Sequence, residues 1–282
     1  MKPERDSASP GDRAWPRESA VLPTLHATAV VDPRAQLGEG VVVGPYCVVG
    51  PDVVVGRDTV LLSHVVLVGP LVIGERCALH PFAVVGGPAQ VRVGAGERAH
   101  GSVLLGDDVV VRENVTIHRG TEGRTTTVGS STLLMVSSHV GHDARVGRSV
   151  VVANGVQLAG HAEIEDFVTF GGLAGVAQHV RVGESAFVAA GAMCEADVPP
   201  YVIVQGDRAR VRALNKVGLS RRSVPPSSVA ALELAFRRLF VRRGDTRARV
   251  LASFADGVQD PYVSRLVAFV AAPRKVTEIK GK

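Results

Sequence analysis

The chain has 282 residues, 46% of them hydrophobic and only 4% aromatic, with a formal net charge of +5 and a pI near 9.4. That supplies ample material for a large core, and no apolar run reaches the roughly 18 residues of a membrane span. The N-terminus has no apolar signal core, so the expectation is a cytoplasmic protein without stable membrane insertion.

Residues 1–24 are rich in Pro, Arg and Ser without apolar periodicity and read as a flexible tail. From Ala29 to Pro88 the chain divides without a gap into hexads, among them AVVDPR, VVVGPY, CVVGPD and LVIGER. The first position is small or apolar (Ala29, Ala35, Val41, Cys47), the third aliphatic (Val31, Leu37, Val43, Val49), and the fourth often Gly (Gly38, Gly44, Gly50, Gly56). A short fixed period means stacked units that bury their apolar faces only against each other. Six residues fit a short strand plus a turn, with positions one and three facing inward. Three hexads make one triangular coil. The predicted fold is mainly β: a left-handed parallel β-helix of hexapeptide repeats. A Val-rich sandwich would not hold one phase so long. The recurrent Gly is expected to supply a corner conformation closed to other residues. Cys47, Cys77 and Cys194 fall at inward positions and are expected as core thiols, without disulfide or metal.

A Gly-rich break at 89–101 holds Arg92, Arg98 and His100, and a shorter break covers 121–125. From Thr126 the hexads run unbroken to Asp197, where Val198-Pro199-Pro200-Tyr201 is expected to end them, because Pro cannot donate to a strand ladder. The coil domain is thus assigned to 25–200 and a C-terminal α-helical cap to 201–282. In the cap, Pro225-Pro226 and Ser227 or Ser228 mark a helix start, apolar residues from Val229 to Phe240 recur at helical spacing, and a second helix is predicted over 261–271. Arg208, Arg210, Arg212, Lys216, Arg221 and Arg222 make the region after the coil basic. Few aromatics interleave them, which argues against nucleic acid and for an acidic protein partner.

In such a stack, residues 18 apart are vertical neighbours at about 4.8 Å. His142 then lies under Gly160, Asp143 under His161, and His161 under His179; allowing for the break at Thr121, His118 lies beneath Gly141. His118, His139, His142, His161 and His179 therefore gather near one face, while His64 and His80 read as isolated solvated residues. One chemistry for the cluster is metal binding, with His161 and His179 as two ligands; the spacing does not match the zinc-binding carbonic anhydrases of this fold. The other is general-base catalysis by a histidine oriented by Asp143, with the Gly160 N–H receiving a developing oxyanion. No Ser-His-Asp or Cys-His arrangement is present, which favours direct attack by a bound hydroxyl.

The stretches VTIHRGT (115–121), SHVGHD (138–143), ANGVQLAGH (153–161) and DVPPYVIVQG (197–206) resemble the acyl-carrier-protein-dependent UDP-N-acetylglucosamine O-acyltransferases of lipid A synthesis. The similarity spans about 25–222, and the cap resembles the family only in composition. The resemblance implies a homotrimer with active sites between subunits. It implies transfer of an (R)-3-hydroxyacyl chain from acyl carrier protein to the 3-hydroxyl of UDP-N-acetylglucosamine, without a cofactor. It places the catalytic base on His142, the oxyanion donor on Gly160 and a further motif histidine on His161. Substrate contacts fall on Gln90, His139, Asp143, Gln178, Asn215, Arg221 and Arg222, and the residue limiting acyl length on Ala190. Two departures touch substrate handling: the family's Gln-Asp-Leu-Lys-Tyr is here Gln90 to Gly94, and its Val-His-Gln-Phe is Val176-Ala177-Gln178-His179. They leave open N-acylation of a related amino sugar nucleotide, or a non-catalytic trimeric scaffold.

Overall fold

A computed structural model describes residues 22–91, 101–241, 251–252, 254 and 260–272. Residues 1–21 of the expected tail, most of the first loop with Arg92, Val93, Gly94, Arg98 and His100, the basic pair Arg242 and Arg243, and the polar end after 272 lie outside the described residues; Thr24, at the expected end of the tail, already pairs with Val42 in the first strand, Thr24–Leu25.

The hexads form a parallel β-helix of three sheets, of eleven, nine and eight strands among the described residues, in which every third strand pairs. We call them sheets A, B and C, in the order in which the chain visits them on each coil. Val42 pairs with Val60 in sheet A, Val48 with Val66 in sheet B, and Gln36 with Val54 in sheet C, so the register is 18 residues per coil. Both breaks are absorbed as excursions: Ala78 pairs with Val110 and Val110 with Leu133, and the stack continues in phase.

Inward positions one and three form one continuous core from Val41 to Val204. The first coil (Ala29, Val31, Ala35, Leu37) is only partly buried, and among the described residues no full coil lies beneath it. Cys47, Cys77 and Cys194 are buried free thiols. Polar residues at position one stay satisfied by bridging rungs: Thr59 donates to the Gly74 carbonyl at 2.9 Å and accepts the Cys77 N–H at 3.1 Å.

The glycine expectation is corrected. Left-handed backbone angles sit at hexad position six and are adopted mainly by non-glycine residues such as Asp52, Asp58, Asp143 and His161. Asp, Asn and His enter this region more readily than most side chains. The position-four glycines are needed for close approach. A Cβ on Gly44 would lie 2.3 Å from the Leu62 carbonyl oxygen, and one on Gly56 2.5 Å from that of Gly74.

The Pro pair does not end the sheets. After it, Val202–Gln205 adds a further parallel strand to sheet A, pairing Phe187 with Ile203. An antiparallel strand, Arg210–Leu214, then turns the chain back. Pro199 and Pro200 occupy a corner, where no ladder N–H is required; Pro200 packs against Gly183 one coil below. The cap therefore begins with two strands and continues with helices α1 (Lys216–Arg221), α2 (Pro226–Phe236) and α3 (Pro261–Ala271). Helix α2 has Pro225 as N-cap and Pro226 at its first turn, so neither serine is the cap; a π-helical turn, Arg237–Val241, follows it. Leu232, Val263 and Leu266 are buried against the stack. Arg181 ties α3 down by donating to the Ala272 carbonyl at 3.1 Å and lying 4.5 Å from the Phe269 ring centroid.

Candidate active site

The corner between sheets B and C carries the histidine column. His139 heads a strand of sheet B (His139–Val140), and His142 and Asp143 make the turn into Arg145–Val146 of sheet C. Gly160 and His161 occupy the same corner one coil later, and His179 the next.

Asp143 organises the corner. Its own N–H donates to Thr126 Oγ1 at 2.8 Å, while its Oδ1 accepts the Thr121 N–H at 3.0 Å, and the Thr121 hydroxyl donates at 3.1 Å to Oδ2. His142 Nδ1 lies 2.7 Å from Oδ2, and His161 Nε2 lies 3.4 Å from it. Burial opposes ionisation of Asp143, but the hydrogen bonds from His142 and Thr121 outweigh it and hold the carboxyl below the usual carboxylate range. An ionised carboxylate only accepts, so the neutral tautomer selected by this bond is the one with the proton on His142 Nδ1 and the lone pair on Nε2. The five-residue excursion at 121–125 thus supplies the groups that keep Asp143 charged, a role not visible from its sequence.

His142 Nε2 faces Gly160: a Cβ there would lie 2.5 Å from that nitrogen. Gly141 below likewise leaves open space over the Gly160 N–H, since a Cβ on Gly141 would lie 2.6 Å from the Gly160 nitrogen. Among the described residues no acceptor takes this N–H. A free base nitrogen and a free backbone donor therefore open side by side. His142 is only 6% exposed, although it lines the cleft beside Gly160.

Three further histidines of the corner are shaped chiefly by burial. Burial, aided by His118 and His142, pushes His139 down to about 4, and burial with His142 lowers His118. Burial also lowers His161, partly opposed by Asp143. His139 Nδ1 is 2.8 Å from Thr116 Oγ1. His161 and His179 stack at 4.5 Å with an interplanar angle of 15°, so their rings lie parallel and do not converge on a common ion. His142, Asp143 and His161 do bring one donor atom each within 4.8 Å of one another, yet the His142–Asp143 pair is already engaged in its hydrogen bond. His64 stacks between Tyr46 and Phe82, and His80 is paired with Glu113, so neither is an isolated solvated histidine.

A cleft of about 530 Å³ opens beside the corner over the outer face of sheet B. His139, Gly141, His142 and Gly160 line one side; Gln157, Gly175, Gln178 and Met193 line the floor and far side, with Gln90 at the rim. Ala190 lies at the corner between sheets A and B, exposed and outside this lining. Asn215 is buried as the N-cap of α1: its Oδ1 accepts the Gly218 N–H at 3.0 Å and its Nδ2 donates to the Ser185 carbonyl at 2.9 Å. Arg222 pairs with Glu184, donates to Ser185 Oγ at 2.7 Å and lies 4.0 Å from the Phe167 ring centroid. Arg221 is exposed and without an ion-pair partner among the described residues. These three sit at the corner between sheets C and A, not at the histidine corner.

A β-helix with a buried His–Asp pair and a free backbone N–H over a surface cleft defines a hexapeptide-repeat transferase. The comparisons make this specific. A family model described as UDP N-acetylglucosamine O-acyltransferase, domain 2, matches residues 197–277, so the cap resembles the family in sequence and not in composition alone. A model of the GMPPB C-terminal domain matches repeats over 25–132. The acyl-[acyl-carrier-protein]–UDP-N-acetylglucosamine O-acyltransferase of Alkalilimnicola ehrlichii is 41% identical over 251 residues, covering 88% of this chain and 96% of the relative. That of Synechocystis is 39% identical, covering 90% and 91%. The solved UDP-N-acetylglucosamine acyltransferase of Francisella novicida superposes with a TM-score of 0.84 at 32% identity, covering 89% and 92%. The chain belongs to the acyl-[acyl-carrier-protein]–UDP-N-acetylglucosamine O-acyltransferase family, and its fold is the left-handed parallel β-helix. Among the described residues, no helix is long and apolar enough to cross a membrane.

Proposed function

We propose that this protein transfers a (R)-3-hydroxyacyl chain from acyl carrier protein to the 3-hydroxyl of UDP-N-acetylglucosamine, the first step of lipid A synthesis. The observation that carries the reading is the juxtaposition of His142 Nε2 with the Gly160 N–H beside an Asp143 that fixes the histidine tautomer. His142 Nε2 takes the proton of the sugar hydroxyl as its oxygen attacks the thioester carbonyl. The Gly160 N–H receives the oxyanion. Collapse of the intermediate breaks the C–S bond, and His142 returns the proton to the departing carrier thiolate. Orientation by Asp143 and the single donor at Gly160 are the two electrostatic elements of the site.

The active unit is a homotrimer. Its support is the division of the candidate residues: His139, His142, Gly160 and Gln178 share the B–C corner, while Arg221 and Arg222 sit at the C–A corner of the same protomer. A neighbouring subunit brings the two corners together, with Arg221 free for the nucleotide phosphates and Asn215 holding α1 in place beneath it. The exposed Arg208, Arg210 and Arg212 on the end of the stack suit an acidic carrier. Buried free thiols fit the reducing cytoplasm.

The test is incubation of the purified protein with 3-hydroxyacyl carrier thioesters and a panel of UDP-sugars. O-acylated UDP-N-acetylglucosamine is expected. Product only with an amino sugar nucleotide would replace O- by N-acylation. No product with any pair would leave a scaffold.

A further inference from the structure

Helix α1 is six residues long, and both of its ends are fastened to one turn of the coil. At its N-terminal end, the Asn215 side chain donates to the Ser185 carbonyl at 2.9 Å. At its C-terminal end, Arg222 donates through Nη1 to Ser185 Oγ at 2.7 Å and pairs with Glu184 Oε1. Glu184 and the buried Ser185 are consecutive in the turn from sheet C into sheet A, so one turn holds both caps.

Glu184 is itself anchored. Its Oε2 accepts the Tyr201 hydroxyl at 3.1 Å, and its N–H donates to Glu165 Oε2 at 2.8 Å, one coil below. Burial, and after it the Glu184 charge, push the Tyr201 phenol up, so the hydroxyl keeps its proton and donates. Glu165 in turn pairs with Arg265 of α3. The Arg222 guanidinium also lies 4.0 Å from the Phe167 ring centroid, and Phe167 holds a left-handed φ of 62°, a costly angle for a bulky side chain. Carboxylate, hydroxyl and aromatic face therefore all engage Arg222. Giving it to a phosphate would leave Glu184, with a side chain only 22% exposed, without its cation. Arg221, next to it at the end of α1, is exposed and has no ion-pair partner among the described residues.

We propose that Glu184 is a positioning residue for the sugar nucleotide: through Arg222 it fixes the end of α1, so that Arg221 meets the diphosphate and Arg222 is a strut. The inference rests on the acyl-transfer reading. It departs from the resemblance, which puts substrate contacts on Asn215 and Arg222 as well as on Arg221.

The test is steady-state kinetics with a 3-hydroxyacyl carrier thioester and UDP-N-acetylglucosamine for the wild type, Glu184→Gln, Ser185→Ala, Arg222→Ala and Glu184→Gln/Arg222→Ala. Glu184→Gln keeps the shape and removes the charge that holds Arg222. KM for the sugar nucleotide should rise by about tenfold, the low end of what one hydrogen bond to a charged group is worth, with kcat and KM for the carrier thioester unchanged. Ser185→Ala should raise the same KM, and the double variant should be no worse than Arg222→Ala, because both changes act through one pair. A phosphate ligand behaves in the opposite way, since releasing Arg222 from Glu184 offers the nucleotide more positive charge. A lowered or unchanged KM in Glu184→Gln therefore overturns the proposal. So does an equal change in kcat or in the carrier KM, which marks a general loss of structure. If Glu184→Gln melts below the assay temperature, Ser185→Ala decides by the same criterion. A wild type that acylates no UDP-sugar would remove the acyl-transfer reading and this inference with it.

Discussion

Replacing Gly160 by Ala tests the catalytic geometry at one atom. The new Cβ would stand 2.5 Å from His142 Nε2, 2.7 Å from Cε1 and 3.0 Å from Cδ2. Ordinary contact begins at 3.4 Å, so the ring must retreat by about 0.9 Å. The obstacle is the far end of a side chain and Gly160 has no left-handed angle, so the backbone keeps its path and the Gly160 N–H is retained. What changes is the base. Moving the imidazole strains its 2.7 Å hydrogen bond to Asp143 and takes Nε2 off the line to the substrate hydroxyl. A misplacement of about 1 Å costs on the order of 10²-fold in rate. Initial rates with a carrier thioester and UDP-N-acetylglucosamine should thus fall by about 10², with a melting curve close to that of the wild type. The double variant His142→Ala/Gly160→Ala should be no slower than His142→Ala, because both changes act through one group. Full activity in Gly160→Ala, or multiplying losses in the double variant, would refute this account.

His142→Ala should lose roughly 10²- to 10⁴-fold in rate. Since His142 is buried and bonded to Asp143, the variant should also lose about 1.5–3 kcal/mol of stability in urea unfolding, the usual worth of a hydrogen bond to a charged group, while the Thr121 bonds keep Asp143 partnered. Acid sensitivity follows from His139, held at about 4 when folded against an ordinary value of 6.5. Its contribution is complete above 6.5 and is lost as pH falls toward 4, because the unfolded chain takes up the proton first. His139→Gln should flatten that limb of the stability profile, and an unaltered slope would count against a buried neutral ring. Arg221→Ala should raise KM for the sugar nucleotide without changing the melting temperature. Rising salt should weaken use of carrier thioesters more than of a short uncharged thioester, and equal loss for both would argue against docking on Arg208, Arg210 and Arg212.

The sequence alone determined the stack. A six-residue period specifies which side chains face inward, and an 18-residue coil converts sequence separation into vertical contact. That period brings His142, Gly160, Asp143 and His161 together, and in the folded chain they share one corner. Periodicity is one-dimensional, however. It gives height and face for each residue but not the depth of a groove or the role of an excursion. Only the tertiary structure showed that Thr121 folds back to hold Asp143, that His142 is buried, and that position-four glycines serve close approach while position six carries the left-handed turn. It alone placed Ala190 away from the cleft and Met193 within it, because Met193 takes its place only when the next coil covers Gly175. It also put Arg222 and His142 on different corners of one protomer. Sequence motifs list such residues side by side, and only the three-sided coil separates them, because each coil turns through three corners before the chain returns to the same face.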